Sequence, residues 1–246
     1  MYLLRRLERK IHYLRETAAM RLLYGEAFGW KNLSKSPQVT KGSIFNEYRS
    51  SLPWFTYPAI AQLLRIGIEG EKILEYGSGS STSFFLEKGC NVKSIEDDEH
   101  WAGFVRSKIG SNLKVEIMLK AVHQGYVQSS HQLAAYGPSI VLIDGKNRRE
   151  CAAEVAHYLQ NHENSKTLWM VILDNSDWHG ASYSILASCD EFVGFDYYGH
   201  GPYNNYSWCT TLFVRSNSTK FLERMKKAGP AKPMQNGLAS NWSDKL

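Results

Sequence analysis

Ile73-Leu74-Glu75-Tyr76-Gly77-Ser78-Gly79-Ser80-Ser81-Thr82 is the stretch that decides the fold. Lys72 to Tyr76 is a short apolar run that reads as a strand. It enters a Gly-x-Gly turn, and a helix over 82–88 follows at once. Glycines permit so tight a turn and let the backbone approach a ligand closely. Asn91 to Glu96 reads as a second strand, ending in an acid about 20 residues beyond the turn. That spacing suits a carboxylate holding the two hydroxyls of a ribose, since a carboxylate accepts from both.

Two classes of nucleotide-like ligand fit this turn. A dinucleotide normally requires a third glycine or alanine where Thr82 stands, so that helix and strand close around a pyrophosphate. S-adenosylmethionine carries no phosphate and relaxes that requirement. Glu75, just before the first glycine, also suits a ligand with a cationic amine. The alternative is a tight strand-to-helix turn that binds nothing.

Outward from the turn, the chain alternates. Strands are expected at 113–119, 139–143 and 168–173, with helices over 100–109, 149–159 and 182–187 between and after them. Two further strands, 192–198 and 209–215, are joined by the turn-rich loop 199–206 without a helix, so that pair is expected to be antiparallel. Alternation of this kind predicts an α/β, Rossmann-like fold: a mainly parallel sheet with helices on both faces. The domain is assigned to 46–220. Before it stand a basic amphipathic helix within 1–28 and a polar linker, together 1–45. After it come a helix end and a loose tail, 221–246.

The bulk numbers agree with a globular chain. Of 246 residues, 43% are hydrophobic and 22% charged, and the net charge is +5. The mild charge, without a broad basic stripe, argues against a nucleic-acid partner. Cys90, Cys151, Cys189 and Cys209 form no CxxC pair, which fits a reducing compartment and no zinc site. No apolar run approaches a membrane span and no secretory leader is evident, so the expected location is the cytoplasm.

Glu75 to Thr82, with Ser94-Ile95-Glu96 and Glu99-His100-Trp101, resembles the first two motifs of class I S-adenosylmethionine-dependent methyltransferases. More narrowly, the chain is similar to a bacterial subgroup with a Pro-Trp-x-Thr-Tyr-Pro-Ala lead-in, an Ile-Asp-Gly strand end and an Asp-Asn-Ser strand end. Pro53 to Ala59, Ile143-Asp144-Gly145 and Asp174-Asn175-Ser176 supply these three. The resemblance runs from about Pro53 to Arg215. It implies a seven-stranded sheet with an antiparallel last strand and S-adenosylmethionine as cofactor. The implied cofactor residues are Glu75, Tyr76, Gly77, Ser78, Gly79, Ser81, Thr82, Glu96, Asp97 and Asp144, with the stretch from Asp97 to Trp101 bordering the adenine. It departs from many relatives after the third strand, where Lys120, Ala121 and Val122 replace an adenine-contacting acid or Asn.

Ligands of open α/β sheets sit beyond the carboxyl ends of the strands. Asp144 and Asp174-Asn175 end adjacent strands there, and their oxygens are hard ligands suited to Mg²⁺ or another divalent cation. The stretch from Asp174 to Gly180 is similar to the Asp-Asn-x-x-Trp-x-Gly of metal-dependent catechol and caffeoyl-coenzyme A type O-methyltransferases. There a Lys three positions after the first Asp acts as base; here Lys146 is two positions after Asp144. The alternative is that Asp144 and Asp174 cap strand ends.

The catalytic candidates are therefore Asp144, Lys146, Asp174, His179 and His200. Trp54 and Tyr57 are candidates for a lid over the acceptor, or are core aromatics. Tyr203 and Asn204 are candidates for the acceptor wall. The expected function is methyl transfer to an oxygen of a small molecule or glycan. Its rivals are a nicotinamide-dependent oxidoreductase and a non-catalytic S-adenosylmethionine-binding protein. The leucine stripe of the N-terminal helix suits docking on its own domain or in a homodimer. Its Arg5, Arg6, Arg9 and Lys10 equally suit peripheral contact with an anionic membrane.

Overall fold

The computed structural model describes residues 52–112, 114–202, 206–219, 221 and 223. The N-terminal helix with its dimer and membrane readings, most of the C-terminal tail, and Tyr203 and Asn204 lie outside the described residues.

Helix α1 (Tyr57–Ile66) leads into β1 (Lys72–Tyr76), α2 (Ser80–Glu87), β2 (Asn91–Glu96), α3 (Glu99–Ile109) and β3 (Val115–Leu119). Then come α4 (Ser130–Tyr136), β4 (Ile140–Ile143), α5 (Arg148–Asn161), β5 (Met170–Asp174), α6 (Gly180–Ala187), β6 (Phe192–Gly199) and β7 (Trp208–Arg215). The seven strands form one sheet in the order β3-β2-β1-β4-β5-β7-β6. Strands β1 to β5 pair in parallel, while β7 inserts between β5 and β6 and runs antiparallel to both. The fold is thus the expected Rossmann-like one with an antiparallel last strand. Because β6 shares the direction of β5, the loop leaving it emerges at the carboxyl edge.

The central strands are apolar on both faces because each face is covered. Ile73, Ile140, Leu142, Met170, Ile172 and Leu212 join α1 and α2 in one core. Their alternate neighbours Leu74, Val141, Ile143, Val171, Leu173 and Phe213 join α4, α5 and α6 in the other. Period-two side-chain alternation divides the residues between the two cores.

Two local features escaped the sequence reading. Residues Val122–Tyr126 form a π-type turn with Gly125 at φ +88°. Helix α4 follows, opened by a capping box: the Gln132 side chain accepts from the Ser129 amide at 2.8 Å, and the Ser129 hydroxyl accepts from the Gln132 amide at 3.4 Å. Helix α2 begins two residues before the expected start because the Thr82 hydroxyl accepts from the Gly79 amide at 2.9 Å. Among the described residues, no helix is long and apolar enough to cross a membrane.

Candidate functional site

The turn after β1 and the turn after β4 meet backbone to backbone. Gly77 has φ +91°, and a Cβ there would lie 2.9 Å from the Gly145 Cα. A Cβ on Gly145 would lie 2.9 Å from the Gly77 amide nitrogen and inside contact distance of the Tyr126 hydroxyl. Gly79 differs: its φ of 174° is ordinary extended backbone. A Cβ there would meet only Trp101, at 4.0 Å. Among the described residues nothing requires a glycine at 79; the room it leaves faces Trp101 across an open cleft.

Of the expected cofactor residues, Gly77, Ser78, Gly79, Ser81, Glu96, Asp97 and Asp144 line this cleft of about 330 Å³. Trp54, Asp98, Trp101, Tyr126, Gly145 and Lys146 also stand in its walls. The Trp101 indole is fixed by donating to the Ser78 carbonyl at 2.7 Å and by stacking on Phe104 at 5.3 Å. Glu96, buried at the floor, accepts from the Ser78 amide and hydroxyl, both at 2.9 Å, and from the amides of Asp97 and Asp98 at 2.9 and 3.0 Å. Its carboxylate is thereby oriented before any ligand arrives. The Ser78 hydroxyl is the rotatable partner that a ligand hydroxyl would displace.

Glu75, Tyr76 and Thr82 stand behind the loop rather than in the cleft. Glu75 is fully buried and accepts from the Ser81 hydroxyl, and from Thr82 at 2.6 Å. Burial pushes its carboxyl up to about 7 against these hydrogen bonds. It ties the turn to α2 and presents no oxygen to the cleft. Tyr76 is buried against Tyr126, with ring centroids 6.0 Å apart.

The expected cation site is not built. The Asp174 carboxylate turns toward β7, its Oδ1 accepting from Trp208 Nε1 at 3.0 Å and from Thr210 at 2.5 Å. The Arg148 guanidinium fills the place between the two strand ends. It donates to the Asp144 carboxylate at 2.9 Å, the Asp144 carbonyl at 2.7 Å and the Gly145 carbonyl at 3.0 Å. It also donates to the Asp174 carbonyl at 2.5 Å and the Asn175 side-chain oxygen at 3.2 Å. Those are all five N–H donors of an arginine. Among the described residues no group of three or more His, Cys, Asp or Glu side chains could hold a metal. Asp144, Asp174 and Asn175 are corrected accordingly: they are bridged by an arginine cation, and their oxygens do not converge on an ion. Burial lifts both carboxyls, most strongly Asp174, while Arg148 pulls Asp144 down.

Neither a protein-family model nor a curated protein sequence matches the chain. Solved structures are similar in outline. A putative O-methyltransferase from Klebsiella pneumoniae is 16% identical, aligned over 80% of this chain and 99% of its own, with a TM-score of 0.48. A methyltransferase from Pyrococcus furiosus is 17% identical over 84% of this chain and 98% of its own, with a TM-score of 0.42. Aeropyrum pernix fibrillarin, solved with S-adenosyl-L-methionine bound, is 14% identical over 69% of this chain and 76% of its own, with a TM-score of 0.43. Likeness at this level assigns no residue a role, and the functional reading rests on the chain's own site.

The remaining candidates are scattered. Lys146 is in the cleft, but its ammonium is paired with Asp97 at 2.5 Å, which raises its pKa and holds its proton. His179 precedes α6; burial, and then Arg148, pulls its imidazole below the ordinary value. His200 Nδ1 lies 3.1 Å from the Ser207 hydroxyl, and its carbonyl accepts from the Tyr57 amide at 2.7 Å. Trp54 lines the cleft, whereas Tyr57 is buried in the core with α1. Two contributors were missed. Arg148 carried no usable signal, because its place four residues after Asp144 runs from a strand end rather than along a helix. Tyr126 carried none, because a π-type turn has no periodicity to read.

Proposed function

We propose that the chain transfers the methyl group of S-adenosylmethionine to a hydroxyl of a small molecule or glycan. The observation that carries the reading is the charge of the cleft. Glu96, Asp97, Asp98 and Asp144 line it, and even with Lys146 paired to Asp97 and Arg148 to Asp144 the acids outnumber the described cations at the cleft four to two. Such a wall attracts a sulfonium and an ammonium and repels a pyrophosphate, which favours S-adenosylmethionine over a nicotinamide dinucleotide. Glu96 would hold the ribose hydroxyls, Trp101 would offer its face to the adenine, and Gly79 would give the cofactor its room.

The cofactor, when bound, supplies an electrophilic methyl. The protein's part is alignment and the handling of one proton. The acceptor oxygen gains the methyl and loses its proton to a base. Lys146, held as an ammonium by Asp97, is a poor base. His179, its imidazole pulled below the ordinary value by burial and Arg148, stands outside the cleft lining and would serve as base only for an acceptor bound beside the end of β5.

Thermal-shift measurements with S-adenosylhomocysteine and with NAD test the cofactor, and transfer of labelled methyl to pools of hydroxylated acceptors tests the reaction. Stabilisation by NAD alone overturns the proposal. Stabilisation by S-adenosylhomocysteine with no transfer to any pool replaces it with a non-catalytic binding protein.

A further inference from the structure

Single exposed aromatics are ordinary, but Trp178, 57% exposed, and Tyr206, 40% exposed, stand together. They are not strays. Their rings lie 5.6 Å apart, inclined by 35°, and Tyr206 in turn meets the buried Trp208 edge-on at 5.9 Å. The row is anchored from below. Trp208 donates to Asp174, and the Asp177 carboxylate behind Trp178 accepts from the Cys209 amide at 3.1 Å. Asn175 at φ +49° makes the turn that carries Trp178 outward. A water-facing aromatic surface thus stands at the carboxyl edge over β5 and β7.

Its surroundings select the ligand. Asp177, His179, His200 and Ser207 supply donors and acceptors around the rings, and no described basic side chain faces outward among them to follow a phosphate backbone. A flat aromatic acceptor is best held in an enclosed slot, whereas among the described residues these two rings are side by side and largely exposed rather than enclosed. A sugar ring has an apolar face of C–H bonds and a rim of hydroxyls, matching an open aromatic face with a polar border. The distance matters too. The cofactor cleft spans the turns after β1 and β4, and β7, which carries Trp208 beneath Tyr206, lies two strands beyond β4, roughly 10 Å at the usual strand spacing. That exceeds one sugar ring.

We infer that Trp178 and Tyr206 form a stacking platform for a sugar ring of an oligosaccharide acceptor, one or more rings removed from the hydroxyl that is methylated. This rests on the proposed methyl transfer and narrows its acceptor to a neutral glycan chain.

The test uses the full chain saturated with S-adenosylhomocysteine on an array of neutral mono- to hexasaccharides, with catechol and caffeic acid as competitors. Retention of oligosaccharides longer than one ring is expected. Trp178→Ala and Tyr206→Ala, both at exposed positions, should each weaken it by about tenfold. Their S-adenosylhomocysteine affinity, read by calorimetry, should stay within about twofold of the parent. No oligosaccharide retention, retention unaffected by either substitution, or displacement by catechol at its binding concentration overturns the platform while leaving the cofactor reading intact. Failure to bind S-adenosylhomocysteine, with glycan retention preserved, overturns the methyl-transfer reading and leaves the platform standing.

Discussion

Replacing Arg148 with Met should destabilise the protein by about 3 kcal/mol, the lower end of the range for breaking a buried ion pair. The lower end applies because the two side chains keep 12% and 22% of their exposure, so water can reach part of what is vacated. The substitution keeps the aliphatic stem and removes five donors from the strand ends of β4 and β5. It also leaves the Asp144 carboxylate without its cation in a site where burial already disfavours charge. For a chain of this size the loss corresponds to a fall of roughly 6–12 °C in Tm. The deficit should depend on pH in a defined sense. Without Arg148, the folded pKa of Asp144 rises further above the unfolded one, so the folded variant holds its proton more tightly. The variant is then closest to the parent in acid and falls behind as pH climbs through the raised value. Asp144→Asn in the Arg148→Met background removes the stranded charge and should recover about 1–2 kcal/mol. Urea denaturation of the parent, both single variants and the double variant gives the coupling directly. A Tm loss under about 2 °C for Arg148→Met, or a double variant no more stable than that single one, refutes the view that this arginine is the cation of the site.

The other expectations concern the cleft and its supports. Glu96→Gln should weaken S-adenosylhomocysteine binding by about 1.5–3 kcal/mol in calorimetry, the cost of losing a hydrogen bond to a charged acceptor; unchanged affinity removes the ribose role. Gly79→Ala should fold with the parent's Tm and lose cofactor affinity, whereas Gly77→Ala should lose stability itself, since its Cβ would lie 2.9 Å from Gly145; thermal melts with and without ligand separate the two. Glu75, with a folded pKa near 7, binds its proton more tightly folded than unfolded, so its contribution to stability is lost as pH rises from about 4.5 to 7, by up to ~1.4 kcal/mol per pH unit. Glu75→Gln should flatten that slope in urea titrations between about pH 4.5 and 7. Because Arg148 fills the place between the two aspartates, methyl transfer should persist in EDTA, and its loss on chelation with recovery on Mg²⁺ would count against the bridging role.

The sheet was legible because its information is local. Strand-length apolar runs at β1, β4 and β5, each followed by a helical pattern, leave few topologies, and the loop without a helix between β6 and β7 announced the antiparallel pair. The Gly77 turn and Glu96 were legible for the same reason: a tight turn needs glycine, and a strand end has a fixed reach. The direction in which a polar side chain turns was not legible. Asp174 stood at the expected strand end, but its partners, Trp208 and Thr210, are more than thirty residues away and adjacent only because β7 inserts beside β5. Arg148 was passed over because a +4 spacing after a strand end, unlike one within a helix, predicts no contact. The Ser129/Gln132 capping box was readable as Ser-x-x-Gln and would have located α4.

The contact between Gly77 and Gly145 has a consequence for how the cleft adapts. With no side chain on either residue to yield, the two turns cannot slide or tilt independently; displacement of one drives backbone into backbone. The floor beneath a ligand is therefore set when the sheet folds, and accommodation of different ligands falls to the walls. Trp101 rides on α3, held to the turn by a side-chain hydrogen bond, and Trp54 on the segment before α1, so both walls belong to elements outside the sheet. Variation in what this cleft accepts should accordingly accumulate around the two tryptophans, while a side chain at either glycine would meet the other's backbone, a clash that no substitution at the facing position relieves.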